Sequence, residues 1–277
     1  MYINLFDSHV HSDNSPEGRD LVTALCSAAV DKGISGICIT DACDMEEFEE
    51  QKYGKRLMYS CFAAHKAQDI FSQQLIVTNG VEMCQPLADP DRAVQVIGEN
   101  RFDFVLGSLH KTRKYGDMMM LNYAHPALDL QDVFRSYYEE LLEVVQWGHF
   151  DSLAHLGYPL RYLKPYNRTV DLAQIDDVFA EIMKSLVAQG KALELNTGGL
   201  RMEIEAFTPS NKYLQMYKDY GGEMITIGSD AECCNDIGCD IQAGLELLKR
   251  DVYKRQPPGW TGSSPGRRDG SGARSRA

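Results

Sequence analysis

The chain has 277 residues, of which 44% are hydrophobic and 25% charged, enough for one large globular domain with a sizeable core. Its formal net charge of -12 argues against general nucleic-acid binding, which needs clustered Lys and Arg to neutralise phosphates. No apolar run approaches the roughly 18 residues of a membrane span, and the segment from Met1 to Asp7 lacks the basic-then-apolar layout of a signal peptide.

Short apolar runs alternate with longer amphipathic stretches. The runs are Ile3 to Phe6, Gly36 to Thr40, Leu75 to Glu82, Phe102 to Leu106, Ser152 to Ala154, Ala192 to Leu195 and Met224 to Ile227. Each is short and largely apolar, as strands buried on both faces should be. Between them lie helix-like stretches. Asp20 to Lys32 sets Leu21, Leu25, Ala28 and Ala29 on one face and stops at Gly33. Asp129 to Gly148, Leu172 to Gly190 and Ser210 to Gly221 each end at glycine as well. This alternation implies an α/β fold with a parallel sheet. Seven repeats suit a closed barrel in a single domain, with an open doubly wound sheet as the alternative.

The composition changes abruptly near the end. Residues 1–250 read as the folded domain. Residues 251–277 hold six Lys/Arg against two Asp and are rich in Gly, Pro and Ser. Such a segment cannot bury enough apolar area to order itself, and it reads as a disordered or non-native tail. The eight cysteines show no zinc-finger spacing and read as reduced thiols of a cytoplasmic protein.

The polar residues at the strand ends carry the chemistry. The first run leads into Asp7-Ser8-His9-Val10-His11, the second ends at Thr40-Asp41, and the third at Glu82. The fourth leads to His110 and the fifth to His155, the sixth ends at Glu194-Leu195-Asn196, and the seventh leads to Asp230. In a parallel barrel all strand C-termini share one face, so these residues should converge. His-x-His on an extended segment points both imidazoles to one side, and neutral imidazoles with carboxylates suit a divalent metal. His65, His125 and His149 fall in helix or loop contexts and read as ordinary histidines.

These pieces in this order resemble the polymerase and histidinol phosphatase (PHP) superfamily, and within it the histidinol-phosphatase group. The resemblance spans about residues 1–250 and rests on Asp7-Ser8-His9-Val10-His11-Ser12, Ile39-Thr40-Asp41, Gly80-Val81-Glu82, Gly107-Ser108-Leu109-His110, Ala154-His155-Leu156-Gly157-Tyr158, Leu193 to Gly199 and Gly228-Ser229-Asp230-Ala231. It implies a distorted (β/α)7, TIM-like barrel. It implies a metal-dependent phosphomonoesterase whose substrate is L-histidinol phosphate, in histidine biosynthesis. Another small phosphoester, or a metal-binding protein with weakened catalysis, is the alternative. It also implies two to three divalent ions (Zn, Mn or Fe). One is held by His9, His11, Glu82 and Asp230, a second by His110 and His155, with Glu82 bridging. Glu82, Asp230 and His110 are the expected catalytic groups.

The family places a third metal at the positions of Glu17, Ala42 and Glu232. Two of these depart from its pattern, since Ala42 and Glu232 stand where histidine is usual. Glu17 and Glu232 retain oxygen donors, and Asp41, Cys43 or Asp44 are possible substitutes. Cys84 beside Glu82 reads as a small buried hydrophobe or a soft ligand. Arg161 and Arg201 match the group's phosphate-binding arginines, and a guanidinium forks onto two phosphate oxygens. The proton donor to the leaving group is open between Glu17, Glu232 and water. An amidohydrolase reading is weakened because no strand-end lysine stands out as a carbamylated ligand. The expected partner is a small phosphorylated molecule, with no nucleic acid and no membrane, and the sequence carries no signal for oligomeric state.

Overall fold

A computed structural model describes residues 5–252. Seven parallel strands form the sheet: β1 (Phe6–Val10), β2 (Gly36–Ile39), β4 (Ile76–Cys84), β5 (Phe104–Ser108), β8 (Ser152–Leu153), β9 (Ala192–Asn196) and β10 (Ile225–Gly228). They lie side by side in that order, a short β3 (Ala42–Asp44) pairs with the outer half of β4, and β6 (Lys111–Thr112) and β7 (Gly116–Asp117) form a separate antiparallel pair. The sheet curls until its edges nearly meet. Val10 bridges to Ala231, just past β10, and the His11 N–H donates to the Ala231 carbonyl at 2.8 Å. Across the same seam, buried Asp7 accepts from the backbone N–H groups of Ser229 (2.8 Å) and Gly238 (2.9 Å). This is the seven-stranded barrel expected from the sequence.

The outer layer is helical: α1 (Val22–Asp31), α2 (Tyr53–Phe71), α3 (Pro90–Asn100), α4 (Leu130–Trp147), α5 (Asp176–Ala188), α6 (Asn211–Asp219) and α7 (Ile241–Leu247). Helix α4 shows why these segments fold locally. The Asp129 side chain caps its start by accepting from the N–H groups of Gln131 and Asp132. Its end turns at Gly148, whose φ of 69° is left-handed and open to a residue without Cβ. Between the caps, Phe134, Tyr137, Tyr138, Leu141, Val144 and Val145 are buried at helical spacing. Tyr138 meets Phe179 of α5 with ring centres 4.4 Å apart, and Phe179 stacks on Tyr213 of α6 at 3.9 Å. These three helices share one aromatic layer, with α4 packed against β5 and α5 against β9.

Several elements differ from the sequence reading. The first strand runs Phe6–Val10, so His9 lies within it rather than after it. The start expected at Ile3 lies outside the described residues. Helix α2 was not anticipated because Met58, Tyr59 and Phe62 are exposed beside the buried Leu57 and Ser60, which blurs the period. Helix α3 carried a local signal in Asp89-Pro90: Asp89 caps Arg92 N at 3.1 Å and Pro90 opens the helix. The stretch expected as one helix from Leu172 begins as a 3₁₀ turn, Leu172–Ile175, before α5. At the other end Val252 is buried, closing a turn over Leu248–Val252. The remainder of the Gly/Pro/Ser/Arg-rich segment lies outside the described residues.

Truncating Phe179, which is 1% exposed, opens a cavity in the aromatic layer. Phe179→Ala should lose about 3–5 kcal/mol of stability, read as a lower urea midpoint at unchanged slope.

Candidate metal centre

The strand ends deliver their polar side chains to one point. His9 lies on β1 and His11 one residue past it, and alternation along the extended chain turns both to the same side. Their Nε2 atoms stand 3.0 Å apart. Glu82 comes from the interior of β4, while His110, His155 and Asp230 each sit two residues beyond β5, β8 and β10. His155 and Asp230 both have left-handed backbones, with φ of 21° and 56°. Those unusual turns swing the side chains inward.

Glu82 organises the cluster. Its Oε1 lies 2.8 Å from His155 Nε2 and 3.4 Å from His110 Nε2. Its Oε2 lies 3.6 Å from Nε2 of both His9 and His11. Each oxygen therefore faces a different pair of histidines. Asp230 Oδ1 stands 3.5 Å from His9 Nε2 and 3.4 Å from His11 Nε2. Donor atoms of His9, His11 and Asp230 fall within 4.8 Å of one another, as do those of His9, Glu82 and His155. Buried imidazole nitrogens and carboxylate oxygens converging in this way fit divalent transition-metal ions.

The charges are mutually adjusted. Burial disfavours the ionised form of Glu82, but hydrogen bonds and charge from His110, then His155 and His9, outweigh it and hold the carboxyl well below its usual range. Asp230 is likewise buried and held low, chiefly by His9, His11 and Arg161. For His11, burial opposes protonation, but Glu17 and Asp230 push its pKa up to about 9. Burial lowers that of His155 despite the Glu82 hydrogen bond.

The cluster opens into a cavity of about 320 Å³. Arg161 lines it, half-buried beside the His and carboxylate cluster: Nη2 lies 3.3 Å from Asp230 Oδ2 and the guanidinium covers the Tyr158 ring at 4.5 Å. Its Nε is buried without a partner. Tyr158 also stacks on His110, with ring centres 4.4 Å apart. Arg201 is placed differently. It lies behind Asp230 and donates to the carbonyls of Ser229 (2.8 Å) and Asp230 (3.3 Å), outside the cavity lining, although its Nη1 is buried and unpartnered.

Around the expected third position the donors are thin. Ala42 faces the cavity without a ligand atom. Glu17 Oε1 lies 3.2 Å from His11 Nδ1, and Glu232 lines the cavity with Oε2 3.4 Å from Arg19. Glu232 joins no donor group among the described residues. Asp41 is occupied by Ser12 and Ser60, Cys43 packs in the core, and Asp44 faces Lys111. Cys84 lines the cavity, as Asp44 does, and its Sγ groups with Glu82 and His110. His65, His125 and His149 are exposed, as expected.

The sequence reading gives no individual role to three residues at the cavity or the cluster. Lys111 stands at the cavity edge, where the sequence showed no notable lysine. Its ammonium meets Asp44, Glu46 and Glu47, which outweigh burial and hold it charged, the wrong state for a carbamate. Tyr158 was quoted only as part of a motif. Glu194 is read as a polar strand end with no role of its own, and its carboxylate contacts His9 Nδ1 at 2.7 Å. Its signal was its charge: an acid in a strand buried on both faces needs a partner.

Comparison with known proteins bears on this geometry. The model of the PHP domain matches residues 7–198. The chain belongs to the PHP domain family. Among PHP-related proteins, a probable histidinol-phosphatase of Thermotoga maritima is 29% identical over 252 residues, covering 89% of this chain and 92% of that protein. Histidinol-phosphatase of Lactococcus lactis is 26% identical, covering 88% and 90%. The fold matches the crystal structure of the L. lactis histidinol phosphate phosphatase, complexed with zinc, L-histidinol and phosphate. There the TM-score is 0.71 at 24% identity, over 90% of this chain and 94% of that one. No described helix is long and apolar enough to cross a membrane.

The raised pKa of His11 predicts a pH dependence for the metal-stripped protein. A histidine shifted from 6.5 up to about 9 contributes stability that is fully present below 6.5 and lost as pH rises through 9. Glu82 and Asp230, being depressed, keep their contribution across that window and lose it only in acid. After exhaustive chelation, the thermal midpoint should therefore fall between pH 6.5 and 9. A flat or rising midpoint would contradict the assignment.

Proposed function

We propose that this PHP protein is a metal-dependent phosphomonoesterase that hydrolyses L-histidinol phosphate to L-histidinol and phosphate, in histidine biosynthesis. The observation that carries the reading is Glu82, whose two oxygens face two separate histidine pairs. That is the arrangement a carboxylate needs to bridge two cations. The named relatives supply the substrate.

His9, His11 and Asp230 would hold one ion, and His110 and His155 a second, with Glu82 within reach of both pairs. Two ions fit the donors better than three: Glu17 shares its donor group with His11 and Glu82, Ala42 offers nothing and Glu232 stands apart among the described residues. Zinc, manganese or iron suit the mixed nitrogen and oxygen set. Bound divalent ions neutralise phosphate charge and acidify water.

The chain's own residues do the rest. Arg161 is permanently charged, and its buried Nε lacks an acceptor that a phosphate oxygen would provide. Tyr158 fixes its plane from below. Arg201 acts from behind Asp230, with Nη1 as its free donor. The carboxyl of Glu232 is raised by burial, then by Asp230, so among the candidate acids it suits return of a proton to the leaving alkoxide. Asp44, Glu47 and Asp117 make the cavity wall acidic, which suits the ammonium of L-histidinol phosphate. All eight cysteines are free, which supports the reducing, cytoplasmic setting.

The test is phosphate release from L-histidinol phosphate by stripped protein reloaded with Zn²⁺ or Mn²⁺. Metal-dependent turnover is expected, and full loading without turnover would refute the substrate. Glu82→Ala should abolish turnover and halve the metal content or worse. Near-normal activity in that variant would refute the bridge. Arg161→Ala should raise KM about 10-fold or more, consistent with loss of a charge-assisted contact of roughly 1.5–3 kcal/mol.

A further inference from the structure

We propose that Glu194 is a positioning residue that couples the two metal positions, holding one ligand of each in the arrangement that allows coordination. This rests on the metal-dependent reading above. Glu194 lies on β9 and is fully buried. Its Oε1 lies 2.7 Å from Nδ1 of His9. Its Oε2 accepts from the backbone N–H of His155 at 2.6 Å and from Asn196 Nδ2 at 3.1 Å. One carboxylate thus touches a histidine from each side of Glu82.

The two contacts do different jobs. His9 points Nε2 at the cluster, 3.0 Å from His11 Nε2 and 3.5 Å from Asp230 Oδ1. A neutral imidazole carries one N–H. With that proton on Nδ1, donated to Glu194, the Nε2 lone pair is free for a cation. Held the other way, His9 would present an N–H to the metal. His155 has a left-handed backbone, φ 21°, which side chains rarely adopt. The Glu194 oxygen on its N–H holds that turn and so aims its Nε2 at Glu82 Oε1. Space for the carboxylate is built in: a Cβ on Gly228 would stand 2.4 Å from Glu194 Oε1.

Both oxygens must therefore accept. A carboxylate can do this and a primary amide cannot, since it has one acceptor and one donor end. In Glu194→Gln the amide oxygen must serve the His155 N–H and Asn196, because a backbone N–H can only donate. The NH₂ then faces His9 Nδ1 and drives the proton to Nε2. The flipped amide instead sets donor against donor at His155. Either choice damages one site directly, and the shared Glu82 passes the damage to the other.

The test uses the full chain, exhaustively chelated, titrated with Zn²⁺ against a chromophoric chelator. Glu194→Gln should weaken both zinc affinities together, about 10–100-fold, the usual cost of losing a partner behind a metal-bound histidine. Nitrogen-15 NMR of the zinc-loaded wild type should show the His9 proton on Nδ1. Unchanged affinities in a variant with wild-type circular dichroism, or loss of one site alone, would overturn the coupling. A His9 proton on Nε2 in the zinc-loaded wild type would overturn it without reference to any variant. Wild type that binds no zinc would overturn the metal-dependent reading itself.

Discussion

A carboxylate with 1% exposure, ringed by four imidazoles, is the constraint around which this barrel is organised. An isolated ionised carboxyl in that position would be far too costly to keep in place. Glu82 tolerates burial because opposite charge and hydrogen-bond donors reach it from β1, β5 and β8, and because Arg161 and His11 balance Asp230 beside it. Only a closed parallel sheet brings those strand ends within bonding distance of one point. Fold and site are in this sense one solution to one electrostatic problem.

The left-handed residues show where the cost is taken. His155 and Asp230 have backbones that side chains rarely adopt, and each turns its side chain toward the cluster, where a regular strand end would direct it elsewhere. Local strain of this kind persists only where surrounding contacts over-determine it. The Glu194 contact to the His155 N–H and the Arg201 contacts to the carbonyls of Ser229 and Asp230 are such contacts. They hold the two turns in place.

Much of this was legible in the sequence because strands buried on both faces leave plain apolar runs, and the barrel rule turns seven run ends into one location. His9, His11, Glu82, His110, His155 and Asp230 were all found by that route. What escaped depends on distance in space. Glu194 reads as an odd acid in a greasy strand until its partner, 185 residues away, is beside it. Arg201 follows a strand end like Arg161, and nothing in the sequence distinguishes a guanidinium that lines the cavity from one braced behind it. Lys111 hid because its role lies in pairing with acids of another loop. Helix α2 hid because its exposed aromatic residues imitate a buried face.

The seam of the barrel has a consequence for how the protein comes into being. β1 is closed by contacts to residues at the far end of the chain, with Asp7 and Ser229 separated by 222 positions. A ribosome delivers the N-terminal strand first, so His9 and His11 exist for most of synthesis without Asp230 or the second edge of the sheet. Contacts of such long range close late and slowly. The end of the barrel that carries the cluster is therefore completed late in folding, and a chain interrupted before residue 230 holds five of the six cluster side chains but leaves β1 without its partner across the seam.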